Sequence, residues 1–221
     1  MLIKNYLEII ANIANTNKHN DTINENTDDS INVPENNNNE TYNKPVEANS
    51  YLGLTTSIIQ KAVSSCEYPK IDTVKAKRFL KAVKFADIES KQEAAMFLAQ
   101  LLWESNGLQS KDEYQCSQRD CSEIYSQSSD IPEASEYLYG NSKLLYTPEL
   151  VSKNEDIAWD VSSWYWKTKV RALPEVKIGL FGSTTKAING YLECYSGNYD
   201  KAKRRFELYV KVLKVINAVI L

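Results

Sequence analysis

The apolar positions of this chain recur at helical spacing and nowhere alternate as a strand would. From Gln92 to Cys116 the run QEAAMFLAQLLWESNGLQSKDEYQC places Ala94, Ala95, Phe97, Leu98, Leu101 and Leu102 three and four apart, the pattern of a helix facing a core. Its residues are good helix formers, so local preference agrees with the pattern. Ser90, with Glu93 three residues on, predicts a capping box at its start, and Gly107 offers the exit. Upstream, Ile58, Ile59, Ala62 and Val63 predict a helix over Thr56 to Ser65, broken by Cys66-Glu67-Tyr68-Pro69. Asp72 or Thr73 caps the next, which runs through Val74, Phe79, Leu80, Val83 and Phe85.

Downstream, Ser117 to Pro132 is polar and irregular, and Ala134 to Tyr139 resumes a helix stopped by Gly140. Thr147-Pro148-Glu149-Leu150 opens a short turn with Pro at the first helical position. Asp156 begins a helix whose Ile157, Val161, Trp164 and Tyr165 make a wide aromatic face. With Trp159 and Trp166 this face reads as core, because helical spacing buries one side. Pro174 and Gly179 mark a loop, and Ser183 to Gly190 holds a short helix. Asp200 caps a final helix with Phe206, Tyr209, Leu213 and Ile216 on one side, and Lys201, Lys203 and Arg204 on an exposed one. The expected class is mainly α.

The first fifty residues read differently. Met1 to Ala14 predicts a short amphipathic helix, and Lys4, Asn5 and Glu8 keep it from being a clean secretory signal. Asn15 to Ser50 is rich in Asn, Asp, Glu and Thr. It holds too little apolar surface to offset its ordering entropy and is expected to be disordered. Two glycosylation acceptors, Asn20-Asp21-Thr22 and Asn39-Glu40-Thr41, fall in that tract, where chance produces them easily. The folded domain is expected over residues 51–221.

Composition narrows the chemistry. A net charge of -3 and a pI near 5.4 give no general attraction for nucleic acid or an anionic membrane, and no apolar run is long enough to span a bilayer. The one histidine, His19, lies in the Asn-rich tract. The folded part therefore has no His for a Ser-His or Cys-His pair and none for a zinc site. No phosphate-cradling glycine loop occurs. Four cysteines, Cys66, Cys116, Cys121 and Cys194, allow two disulfides in an oxidising compartment or four reduced, buried thiols.

Carboxylate chemistry is what remains. Glu104 ends the central helix beside Trp103, and Glu113 follows nine residues later. Two carboxylates presented from a helix end and its following loop suit glycosidic hydrolysis, one protonated to donate to the leaving oxygen, the other ionised to activate water. Burial against Trp103 is expected to raise the pKa of Glu104, with Glu113 more exposed and ionised. Spacing alone is weak, since most such carboxylate pairs are solvated.

Three blocks, AAMFLAQLLWESNGLQSKDEYQC, EASEYLYGNSKLLYTPELVSKNEDIAWDVSSWYW, and FGSTTKAINGYLEC followed by AKRRFELY, resemble family 19 chitinases in order, from about Thr55 to Val215. The resemblance implies a lysozyme-like, bilobal helical domain and inverting hydrolysis of β-1,4-linked N-acetylglucosamine polymers, without metal or cofactor. It implies Glu104 as general acid, Glu113 as general base, Asn189 on the substrate or the attacking water, and Arg205 near the acids. Many members have His where this chain has Trp103. The family's glycine-arginine-glycine cleft loop is replaced by the shorter CSEIYSQSSDIPEAS, and no glycine occurs between Gly107 and Gly140. Tyr125, Gln127 and Ser129 are the expected remnants of that loop, the last two in water-positioning roles. Tyr191 stands where the family often has a second Gly. The expectation is a secreted or wall-associated monomer acting on chitin. Two alternatives are a chitin-binding protein that has lost turnover with the loop, and a wall protein whose N-terminal tract carries the interactions.

Overall fold

The structure, a computed structural model, describes residues 51–109, 130–147, 150–195 and 199–218. Among the described residues every regular element is helical. After a 3-10 turn at Tyr51–Gly53 come α1 (Thr56–Ser65), α2 (Thr73–Phe85), α3 (Lys91–Glu104), α4 (Asp130–Tyr139), α5 (Lys143–Tyr146) and α6 (Leu150–Lys153). Then follow α7 (Glu155–Tyr165), α8 (Pro174–Lys177), α9 (Phe181–Glu193) and α10 (Asp200–Asn217). The expected N-terminal helix and Asn-rich tract lie outside the described residues, as does most of the polar stretch before α4.

Local chemistry sets the helix starts. Thr55 Oγ1 accepts from the Ile58 amide at 3.3 Å, and Asp72, not Thr73, caps α2 by accepting from Lys75 at 2.7 Å. Ser90 Oγ accepts from the Glu93 amide at 3.0 Å, but the capping box is only half formed. Glu93 turns inward instead, where Trp166 Nε1 donates to it at 3.1 Å and Arg171 Nε stands 3.1 Å away. Asn154 caps α7, accepting from Asp156 and Ile157 at 2.9 and 3.1 Å, so that helix starts one residue earlier than expected. α4 reaches back to Asp130 and holds Pro132 in its first turn, where a missing N–H costs nothing. α9 outruns its expected span at both ends.

α3 is not a one-sided helix. Every residue from Glu93 to Leu102 is buried, and so is Glu104. Such a helix is enclosed by others on all sides. α10 packs along it most extensively, and α9 packs on it too. Phe97 meets Phe79 of α2 at 5.7 Å and Trp166 at 4.9 Å between ring centroids. Trp159, Trp164 and Trp166 are all buried, so the aromatic face is core. Each such fully buried side chain contributes roughly 1.5–3 kcal/mol of transfer energy.

Two expectations need correcting. The buried side of α10 is Arg205, Tyr209, Val212 and Ile216, one position round from the stripe that includes Phe206. Phe206 is 50% exposed and lies against Phe181 with ring centroids 5.8 Å apart. A buried arginine thus occupies a place that apolar spacing assigns to an aromatic. Cys66 and Cys194 are free thiols, so two disulfides do not form. Cys66 is buried between α1 and α10, its Sγ 3.8 Å from the Leu208 carbonyl oxygen. Burial pushes its thiol pKa up, which favours the neutral S–H form. Cys116 and Cys121 lie outside the described residues.

Candidate active site

The site is built around Arg205, 1% exposed near the start of α10. Its Nε and Nη2 each donate to Glu193 of α9 at 2.7 Å. Its Nη1 donates to Gln100 Oε1 at 2.7 Å, and Nη2 also forms an ion pair with Glu104 Oε1. The guanidinium carbon lies 5.6 Å from the Trp103 ring centroid. Burial by itself would lower the Arg205 pKa, but the Glu104 charge and the bonds to Glu193 outweigh it and hold it above its ordinary value. A planar fork matches a carboxylate in this bidentate way, which a lysine would not reproduce.

Glu104 reaches this centre because it is the last residue of a helix buried all round, 6% exposed. Gln100, one turn earlier, is held by its own amide, which donates to Thr184 and Thr185 of α9 at 2.8 and 3.0 Å. The chain then leaves α3 through three successive left-handed residues, Asn106, Gly107 and Leu108, at φ of 48°, 74° and 64°. A left-handed residue with a Cβ costs about 1–2 kcal/mol. Here the turn is held by the Leu108 amide on Ser105 Oγ at 3.0 Å and by Lys75 Nζ on the Leu108 carbonyl at 2.6 Å. Gly107 packs against Tyr68, whose ring a Cβ would enter.

Asn189 interrupts α9 with φ -149° and ψ 41°, which is not the left-handed helix-end conformation that Asn often adopts. Its Nδ2 donates to Glu193 Oε1 at 2.8 Å. Tyr165 OH donates to the Ala187 carbonyl at 3.1 Å, two residues before it. Burial first, then the charges of Asp130 and Glu104, push that phenol up to about 12.

The structure therefore brings four of the expected residues together: Trp103, Glu104, Asn189 and Arg205. Glu113, Tyr125, Gln127 and Ser129 lie outside the described residues. The sequence reading missed Glu193 and Gln100. A signal existed for each: Gln100 is a polar residue in the middle of an apolar helical run, and Glu193 stands one turn after Asn189, between Leu192 and Cys194.

A crystal structure of a chitinase C mutant superposes with a TM-score of 0.60 at 21% identity, covering 76% of this chain and 94% of that one. Acidic endochitinase SP2 of Beta vulgaris is 39% identical over 67 residues, 30% of this chain and 22% of that protein. Basic endochitinase CHB4 of Brassica napus is 42% identical over 69 residues, 31% and 24% of the two chains. Over these stretches the chain is similar to endochitinases. An inactive endochitinase of Arabidopsis thaliana is also similar, 32% identical over 73 residues, 33% of this chain and 25% of that protein. The chain spans about a quarter of the length of these curated relatives. No family model matches it. Among the described residues no helix is long and apolar enough to cross a membrane.

Proposed function

We propose that the protein is an endo-acting chitinase, hydrolysing β-1,4-linked N-acetylglucosamine polymers by an inverting acid/base mechanism. The observation that supports it is the Glu104–Arg205–Glu193 cluster: a carboxylate at the tip of a buried helix shares one guanidinium with a second, deeper carboxylate. Glu104, the less buried of the two acids, is the donor to the leaving oxygen. Glu113 is the base that activates water, with Gln127 and Ser129 positioning it and Asn189 holding the N-acetyl group. Trp103 and Tyr125 flank the sugar. Arg205 touches no substrate in this scheme and positions Glu104. An inverting pair needs carboxyls about 6.5–9.5 Å apart, with water between them.

The polymer places the protein outside the cell or at a chitin wall, acting as a monomer. The test is reducing-end release from chitin oligomers, with the anomer of the first product read by NMR. Glu104→Gln and Glu113→Gln each remove a step typically worth ~10²–10⁴ in rate. Undiminished release in Glu104→Gln removes Glu104 from the mechanism, and a retained anomer removes the inverting scheme.

A second reading, chitin binding without turnover, is favoured by the segment CSEIYSQSSDIPEAS, which lacks the glycines of the resembled cleft loop. A relative named as inactive is in keeping with it. Binding of the unmodified protein to insoluble chitin, with no reducing ends released from soluble oligomers, decides for this reading.

A further inference from the structure

A groove of about 770 Å³ lies between α1 and α10, two helices that pack on each other. Ile58 and Lys61 line it from α1, Lys214 and Val215 from α10, and Gly53 stands at its edge. Its floor is apolar: Ile58 is buried and Val215 partly so. Lys61 and Lys214 are exposed, and their methylene stems extend the apolar wall while the ammonium groups stay in water. Among the described residues neither lysine makes an ion pair, whereas Lys211, in the same groove, is engaged with Glu67 at 2.6 Å. The groove is thus an apolar trough with two uncommitted cations on its rims. It shares no lining residue with the Glu104–Arg205–Glu193 cluster.

The chain itself holds a segment of matching chemistry. Ile3, Tyr6, Leu7, Ile10 and Ile13 recur at helical spacing, the pattern by which an amphipathic helix lays one face into an apolar groove. Residues 15–50 join this segment to the fold. Their seven acids and two lysines give a charge of -5, whereas 23 Lys and Arg against 21 Asp and Glu give residues 51–221 a charge of +2. Charge is therefore sorted along the chain, and the acidic part follows the apolar segment directly. The tract also enters the fold at the groove: Tyr51–Gly53 is the first described turn, and Gly53 lines the edge. Return of the segment needs no span across the molecule, only closure of a loop of 36 residues, and the entropy of closure rises slowly with length. A segment tethered in this way meets its site at an effective concentration on the order of millimolar.

We propose that residues 2–13 dock in this groove of their own chain, with Ile3, Tyr6, Leu7 and Ile10 on Ile58 and Val215, and acids of residues 15–50 over Lys61 and Lys214. The tether favours this occupant over the same segment of a second copy, which must reach the groove from bulk solution. The inference does not depend on the chitinase reading.

The test uses the full chain. Hydrogen exchange read by mass spectrometry follows the amides of residues 2–13, and a zero-length carbodiimide joins carboxylates to lysines that touch them. The expected result is exchange at least several-fold slower than in an unstructured peptide of the same sequence. Crosslinks join Glu8 or the acids of residues 15–50 to Lys61 or Lys214 within one chain, in a yield independent of protein concentration. Leu7→Asp/Ile10→Asp returns exchange to the unstructured rate and cuts the crosslinks several-fold. Lys61→Glu/Lys214→Glu weakens the protection of residues 2–13 several-fold. The two lysines are exposed and Leu7 and Ile10 precede the described helices, so both variants keep the helical fold, which circular dichroism verifies. Unstructured exchange rates in the unmodified chain overturn the docking. Protection that survives either double variant unchanged puts the segment elsewhere and also overturns it. Crosslinks between chains, rising with concentration, make a second copy the donor and overturn the contact within one chain.

Discussion

Arg205 and Glu193 form a side-on pair in which both guanidinium-to-carboxylate bonds are 2.7 Å and both side chains are 1% exposed. Breaking a buried pair from one side leaves an uncompensated charge in the interior, which is far costlier than losing a surface bridge. Arg205→Leu strands Glu193 and Glu104 together, and we expect a loss of about 3–5 kcal/mol in urea unfolding. Arg205→Lys, which keeps the charge but not the fork, falls between this variant and the parent. A change below about 1 kcal/mol in Arg205→Leu contradicts the observed pairing.

Glu104→Gln is expected to differ sharply from Arg205→Leu. It removes one of the two acids and leaves the Arg205–Glu193 pair intact. The fold survives, with a melting temperature within a few degrees of the parent, while reducing-end release is lost. If the two losses instead run together, Glu104 is a structural member of the cluster.

Gly107→Ala tests the exit from α3. The position has φ 74°, and an added Cβ meets the Tyr68 ring. A left-handed non-glycine residue costs about 1–3 kcal/mol, and we expect a loss at the upper end of that range. In a Tyr68→Ala background the penalty of Gly107→Ala shrinks, a coupling that a double-mutant cycle reads directly. Additive losses would show that the two residues do not meet.

Tyr165 carries a pH prediction. Its pKa is raised in the folded state from 10.0 to about 12. The folded form thus holds the phenol proton more tightly than the unfolded form. The stabilisation is fully present below pH 10 and is lost as pH rises toward about 12. Tyr165→Phe loses the bond to the Ala187 carbonyl at all pH values but flattens the alkaline fall. Urea midpoints at intervals between pH 8 and 12 check this, and parallel curves for the two proteins rule it out.

The thiols give a simple chemical check. Cys66 is buried and its thiol pKa is raised, while Cys194 is partly exposed. Brief alkylation of the native protein under non-reducing conditions should label Cys194 and spare Cys66. Protection of Cys194 that reductant reverses would mean that it is bonded after all.

Much of the helical order was legible before any coordinates. The starts of α2 and α3 follow from Asp72 and Ser90, because a cap is a contact between residues three apart. The exit at Gly107 was legible for the same reason. The candidate site was legible only in part. Trp103 and Glu104 were picked out at the end of the central helix, and Asn189 and Arg205 through resemblance, whereas Gln100 and Glu193 were not picked out. An acid in a polar-looking helix end carries no mark of burial until its partner is known. The inward turn of Glu93 shows the same limit, since its capping-box spacing is satisfied just as well by a residue that leaves the cap for Trp166 and Arg171.

The order of residues alone indicated that the described residues are helical and where α1, α2, α3 and α10 begin. Those are consequences of contacts within one or two turns and of composition. Folding in three dimensions decided that α3 is enclosed on every side, that α10 turns an arginine rather than Phe206 into the core, and that Glu104 shares that arginine with Glu193. A charge can be buried only where its counter-charge arrives from another helix. Arg205 and Gln100 are 105 positions apart in the chain, and no local pattern reports such a meeting.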